Sequence, residues 1–76
     1  MTEQAAGTNG HGDARHLLSP REREVMEMTS LGLTNVEIAR RLNVTDHAIK
    51  FHLSSIFRKL HVSNRTEAAV AYLTRA

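Results

Sequence analysis

The 76-residue sequence has no cysteine. No disulfide can staple it, and a structural metal would have to be held by histidine and carboxylate, a donor set uncommon in small closed zinc sites. There is no run of roughly 18 apolar residues, the length a membrane-spanning helix needs, and no N-terminal succession of basic, apolar and small residues of the secretory kind. The expectation is a soluble, cytoplasmic protein with no membrane partner. No nucleophile is paired with a base, no glycine loop could cradle a phosphate, and no metal-ligand spacing is visible. Glu24 and Glu27, one turn apart, make no acid–base pair without a cleft. Neither enzymatic activity nor a cofactor nor a metal is expected. A chain of this length forms one domain, with stability on the order of a few kcal/mol.

Glycine is scarce outside the first stretch. Residues 1–16 hold three of the four glycines and no large apolar residue except Met1, which marks a flexible tail. His11 and His16 lie in it and read as solvated side chains rather than ligands. The domain is expected to occupy residues 17–76.

Acid is the next thing the chain lacks, over one long region. From Arg40 to Arg65 there are six cations, Arg40, Arg41, Lys50, Arg58, Lys59 and Arg65, against Asp46 alone, a net of +5. Between Leu17 and Leu31, Arg21 and Arg23 face Glu22, Glu24 and Glu27, a net of −1. A charge of +2 overall conceals this asymmetry. One basic region on a small domain is the electrostatic footprint of a nucleic-acid binder.

What is abundant is helix punctuation. Ser19, Pro20 and Glu22 give an N-cap, a proline at the first helical position and a capping box. The first helix should therefore run from about Pro20 to Ser30, with Val25 and Met28 inward and Met26 also packing in the core. Glu22, Glu24 and Glu27 read as helix-start and solvated residues, and Gly32 supplies the left-handed residue that ends the helix. A second box, Thr34 to Glu37, opens a helix through Leu42 with Ile38, Ala39 and Leu42 inward. Asn43 suits a tight turn, Val44 plugs the core and Thr45 caps the next helix. Two helices joined by so few residues form a helix-turn-helix.

The third helix, about residues 46–60, carries Ile49, Leu53, Ile56 and Leu60 on one stripe. His47, Lys50, Phe51, Ser54, Ser55 and Arg58 are expected to point away from it. That acid-free outer face suits a polyanion. His61 then stands where a C-cap glycine would be expected, and a third box, Asn64 to Glu67, starts a helix to about Thr74. In this last helix Ala68 to Leu73 are consecutively apolar, more than one domain can bury on one side, which points to a partner surface.

Several ordered blocks, Leu18 to Val25, Gly32 to Ala39, Ile49 to His52, Ile56 to Leu60 and Ser63 to Ala68, closely resemble the LuxR-type (GerE-like) helix-turn-helix domain. The resemblance covers residues 17–75 and implies an all-α, four-helix fold behind a flexible tail. It further implies a sequence-specific transcription regulator whose third helix enters the major groove of double-stranded DNA, on a two-fold or pseudo-two-fold site, as a homodimer paired through the fourth helix. Carried onto this chain, base contacts fall at His47, Lys50, Phe51 and Ser54. Phosphate contacts fall at Thr34 and Asn35 and at Arg65 and Thr66, with Thr45 and Arg58 added from the third helix. The dimer surface falls at Ala69, Val70 and Leu73, and RNA polymerase is a candidate further partner. Ala48 and His61 depart from the family's usual Thr and Gly, and His52 matches its histidine in a structural or phosphate-facing place. Family members usually carry a regulatory domain ahead of this one, so the chain is expected to be either a stand-alone regulator or a piece of a longer one. The competing reading is an interaction module that pairs with a longer relative through the fourth helix without reading DNA.

Overall fold

The computed structural model describes residues 14–75; the expectations for the earlier part of the tail, His11 among them, fall outside the described residues. A 3₁₀ helix, Ala14–Leu17, precedes four α-helices: α1 Pro20–Ser30, α2 Asn35–Leu42, α3 Asp46–Leu60 and α4 Arg65–Arg75. No strand occurs among the described residues. The 3₁₀ helix takes in Ala14, Arg15 and His16, which composition alone assigned to the tail.

The helix starts form as the side chains dictate. Ser19 Oγ accepts from the Glu22 amide while Glu22 Oε1 accepts from the Ser19 amide, and Thr34 and Glu37 repeat the exchange. Thr45 caps α3 by accepting from the Ala48 amide at 3.0 Å. The third box is looser. Asn64 Oδ1 accepts from the Glu67 amide, but the Glu67 carboxylate reaches one residue further back, to the Ser63 amide.

The helix ends share one device. After α1, α2 and α3 the chain turns through Gly32, Asn43 and His61, all at positive φ. The next amide then donates back over five residues: Leu33 to the Met28 carbonyl, Val44 to Ala39 and Val62 to Phe57. These are Schellman turns, and they satisfy carbonyls that the helix end would otherwise leave bare. Leu33, Val44 and Val62 then pack against the core. Of the three left-handed residues His61 carries the largest steric cost, since Gly32 has no Cβ and Asn is the side chain most at ease with positive φ, although histidine is tolerated there better than most. His61→Gly is accordingly expected to stabilise the domain by about 0.5–1 kcal/mol, read as a rise in melting temperature of a few degrees.

One core joins all four helices. Ile49, Leu53, Ile56 and Leu60 of α3 are buried as the stripe requires, against Val25 and Met26 of α1, Ile38 and Ala39 of α2, and Ala68, Ala71 and Tyr72 of α4. The α1 face differs from the hydrophobic expectation. Its buried stripe is Glu22, Val25, Met26 and Thr29, while Met28 is only half-buried. The spacing is still helical, but half its members are polar, so a search for apolar residues rotates the face by a residue or two. Leu42 is likewise half-buried.

Glu22 is the larger correction. Expected at a solvated helix start, it is only 5% exposed and ties α1 to α3. Ser55 Oγ donates to its Oε2 at 2.8 Å, and Lys59 Nζ donates to its Oε1 at 2.7 Å. Ser55, expected on the outer face of α3, is therefore turned to the inner side. Burial pushes the Glu22 carboxyl up, but the bonds from Lys59, the Ser19 amide and Ser55, with the charge of Lys59, outweigh it and hold the group down at about 2.

The C-terminal helix is fastened similarly. Tyr72 is buried, its hydroxyl donates to Glu27 Oε2 at 2.6 Å, and the Arg15 guanidinium lies over its ring, 5.8 Å from the centroid. Burial and the bond to Glu27 push the phenol up to about 12, so it stays a donor.

Candidate nucleic-acid interface

The sequence order Leu42-Asn43-Val44-Thr45 ends one helix and starts the next within a few residues, so α2 and α3 pack together and α3 lies along the surface with one side free. That side carries His47, Lys50, Phe51 and Ser54, all exposed, with Phe51 at 71%. A single exposed apolar side chain is ordinary on a protein surface, so Phe51 counts only together with the cation and the hydroxyl beside it. Its neighbour His52, half-buried, meets it edge-on at 6.1 Å between ring centroids.

Two helix starts flank this face. Capping engages the amides of Glu37 and Glu67, leaving those of Asn35 and Val36 in α2, and of Arg65 and Thr66 in α4, without partners from their own helices. Free amides with the helix dipole behind them favour an anion. Two adjoining open depressions run between these starts and α3. One is lined by Thr34, Asn35, Asp46, Lys50 and Arg65 among others, and the other by Asn35, Lys50, Ser54, Asn64 and Arg65. Asn35, Lys50 and Arg65 border both.

Thus Thr34, Asn35 and Arg65, expected at phosphates, adjoin Lys50 and Ser54, expected at bases. Arg58 is exposed but lies eleven residues beyond His47 on α3, about 16 Å along the axis. Thr66 is exposed in the first turn of α4, and Thr45 is exposed with its oxygen already serving as a cap.

Arg65 does more than face outward. It is half-buried, one guanidinium nitrogen donates to Asn35 Oδ1 at 2.6 Å, and the other donates to the Leu33 carbonyl. The side chain bolts the start of α4 to the start of α2. No local pattern announces this, because the partners are about thirty residues apart. A second unexpected feature was within reach of the sequence: Asp46 lies four residues before Lys50, and the two form an ion pair at 3.7 Å.

On α4, Val70 and Leu73 are 55% and 64% exposed and Ala69 is half-buried. Ala68, Ala71 and Tyr72 face the core. Among the described residues no group of histidine, cysteine and carboxylate could hold a metal ion, and no helix is long and apolar enough to cross a membrane.

The GerE model, described as bacterial regulatory proteins of the luxR family, matches residues 16–72. The chain is similar to the two-component response regulator PprB of Pseudomonas aeruginosa, at 43% identity over 54 residues, 71% of this chain and 20% of that protein. It is 42% identical over 53 residues to the nitrate/nitrite response regulator protein NarL of Escherichia coli, covering 70% of this chain and 24% of NarL. It is 43% identical over 54 residues to the transcriptional regulatory protein ComA of Bacillus subtilis, covering 71% of this chain and 25% of ComA. The chain thus spans a quarter or less of the length of these relatives.

Proposed function

Since the chain belongs to the luxR family of bacterial regulatory proteins, we propose that residues 17–76 read a specific sequence in double-stranded DNA as a transcription regulator, with α3 in the major groove. A single observation carries this reading. The exposed, acid-poor side of α3 lies between two helix starts whose depressions share Asn35, Lys50 and Arg65. Phosphates held at the helix starts would fix register, and side chains on α3 would then meet base edges. Lys50 can donate to guanine O6 or N7, Phe51 can pack on a thymine methyl, and His47 and Ser54 offer further hydrogen bonds. Thr34, Asn35, Thr45, Arg58, Arg65 and Thr66 are assigned to the backbone, where they supply affinity and salt dependence.

Exposed Val70 and Leu73 support pairing of two copies through α4 beside Ala69. A dimer would read a two-fold or pseudo-two-fold site, because its symmetry is imposed on the DNA it grips. RNA polymerase is the further partner that such regulation implies.

The test is selection of bound duplexes from a randomised library with the 76-residue chain and Lys50→Ala in parallel. A symmetric motif is expected. The variant should bind the selected site about 1–3 kcal/mol more weakly and lose preference at one base pair of each half-site. Recovery of no motif would discard the reading and favour a module that pairs through α4 without reading DNA.

A further inference from the structure

Asp46 is the one acid between Arg40 and Arg65, and it stands at the first position of α3, beside the surface assigned to DNA. An acidic residue in a helix's first turn is ordinarily explained by the dipole, and its ion pair with a lysine four residues on by modest helix support. Both apply to Asp46, but neither explains an acid beside a depression whose other charged residues, Lys50 and Arg65, are positive. Thr45 already caps the start of α3, and a pair as exposed as this, 65% at Lys50 and 44% at Asp46, adds little stability. A carboxylate here also repels the polyanion that the surrounding charge attracts.

We propose that Asp46 is a specificity-determining residue that holds the Lys50 ammonium at the base edges and off the phosphate backbone. The inference rests on the reading of α3 as the groove-entering helix. Lysine carries a compact charge on a flexible stem and bonds without strong directional preference. Left alone beside DNA, its ammonium finds a charged phosphate oxygen a stronger partner than a neutral guanine acceptor. Lys50 borders both depressions, within the same reach as the expected phosphate contacts Thr34, Asn35 and Arg65.

Asp46 Oδ2 lies 3.7 Å from Lys50 Nζ, which changes that competition in two ways. The pair lowers the net charge that Lys50 presents to a phosphate, and the carboxylate repels any phosphate entering the depression that both residues line. Guanine O6 and N7 carry no full charge, so an ammonium held by Asp46 can donate to them without bringing two anions together. The other carboxylate oxygen, Oδ1, is buried and accepts no hydrogen bond from any described residue, leaving Lys50 as the group's charged partner. Asp46 thereby weakens sequence-independent binding while preserving the contact that discriminates.

The experiment compares the 76-residue chain with Asp46→Asn, Asp46→Glu and Lys50→Ala. Each is put through library selection, then titrated with a duplex carrying the selected motif and a scrambled duplex of equal length over a series of salt concentrations. Circular dichroism checks helicity. In Asp46→Asn, affinity for the scrambled duplex should rise about two- to fivefold. Its salt dependence should steepen by about one released counterion, and preference at the base pair blurred by Lys50→Ala should fall about fivefold or more. Asp46→Glu, which keeps the charge four residues before Lys50 and reaches it with a longer stem, should retain the motif. Adding Asp46→Asn to Lys50→Ala should blur that base pair no further, a signature that loss of a helix cap would not produce. If the parent chain selects a motif and Asp46→Asn selects the same one with unchanged binding to scrambled DNA, the role of Asp46 is refuted while the groove reading stands. If the parent selects no motif, both are refuted.

Discussion

Replacing Glu22 by alanine should cost about 2–3 kcal/mol, a large share of the few kcal/mol that a domain of this size has. The change removes the acceptor for the Ser19 amide, the Ser55 hydroxyl and the Lys59 ammonium together. It also strips Lys59 of its counter-charge where α1 meets α3. Urea denaturation followed by circular dichroism would measure it, and a midpoint shift worth under about 1 kcal/mol would mean that the network contributes little. Glu22→Gln keeps the shape and an acceptor oxygen, so its cost should be smaller.

The same residue predicts an acid dependence whose sign is fixed. Glu22 is held at about 2 in the folded state against 4.5 ordinarily. Its contribution is therefore complete above pH about 4.5 and is lost as pH falls toward 2, because the unfolded chain takes up the proton first. The depression corresponds to at most about 3 kcal/mol, and screening at Lys59, whose side chain is 41% exposed, reduces it. Stability measured between pH 5 and 2 should fall more steeply in the parent than in Glu22→Gln. Parallel curves would show that the acid sensitivity arises elsewhere.

Arg65→Ala is the second large effect, and it should appear in two assays at once. The guanidinium donates to Asn35 and to the Leu33 carbonyl, so its removal leaves a half-buried junction between α2 and α4 short of donors, at a cost of about 1–3 kcal/mol. Only part of the guanidinium's five-donor fork serves those bonds, which leaves donors for a phosphate. Removal should therefore also weaken every DNA sequence alike and lower the salt slope by about one. Arg65→Lys keeps the charge but not the fork, and should recover much of the DNA binding and little of the stability. Loss of stability with undiminished binding would confine Arg65 to the bolt. Of the two roles of Arg65 only the phosphate contact is legible in the sequence, because Asn35 and Leu33 are distant in the chain.

What was legible in the sequence was what adjacent residues settle among themselves. Capping boxes act over three residues, left-handed turns depend on one, and an amphipathic stripe repeats every three or four. The bounds of α1, α2 and α3 therefore followed from Ser19, Thr34 and Thr45 at their starts and Gly32, Asn43 and His61 at their ends. The α3 stripe of Ile49, Leu53, Ile56 and Leu60 was equally plain, because every member is apolar. The α1 face was not, because Glu22 and Thr29 belong to it and polar residues give no apolar signal.

The sequence by itself thus determined the helices, the helix-turn-helix, the concentration of positive charge and the family. Tertiary structure alone decided that Glu22 is buried, that Ser55 faces inward to meet it, that Arg65 joins two helix starts, and that Asn35, Lys50 and Arg65 border common ground. The physical reason is range. Backbone conformation and capping are settled between near neighbours, whereas burying a carboxylate or sharing a guanidinium depends on donors and acceptors about thirty residues or more away, which meet only when the helices pack.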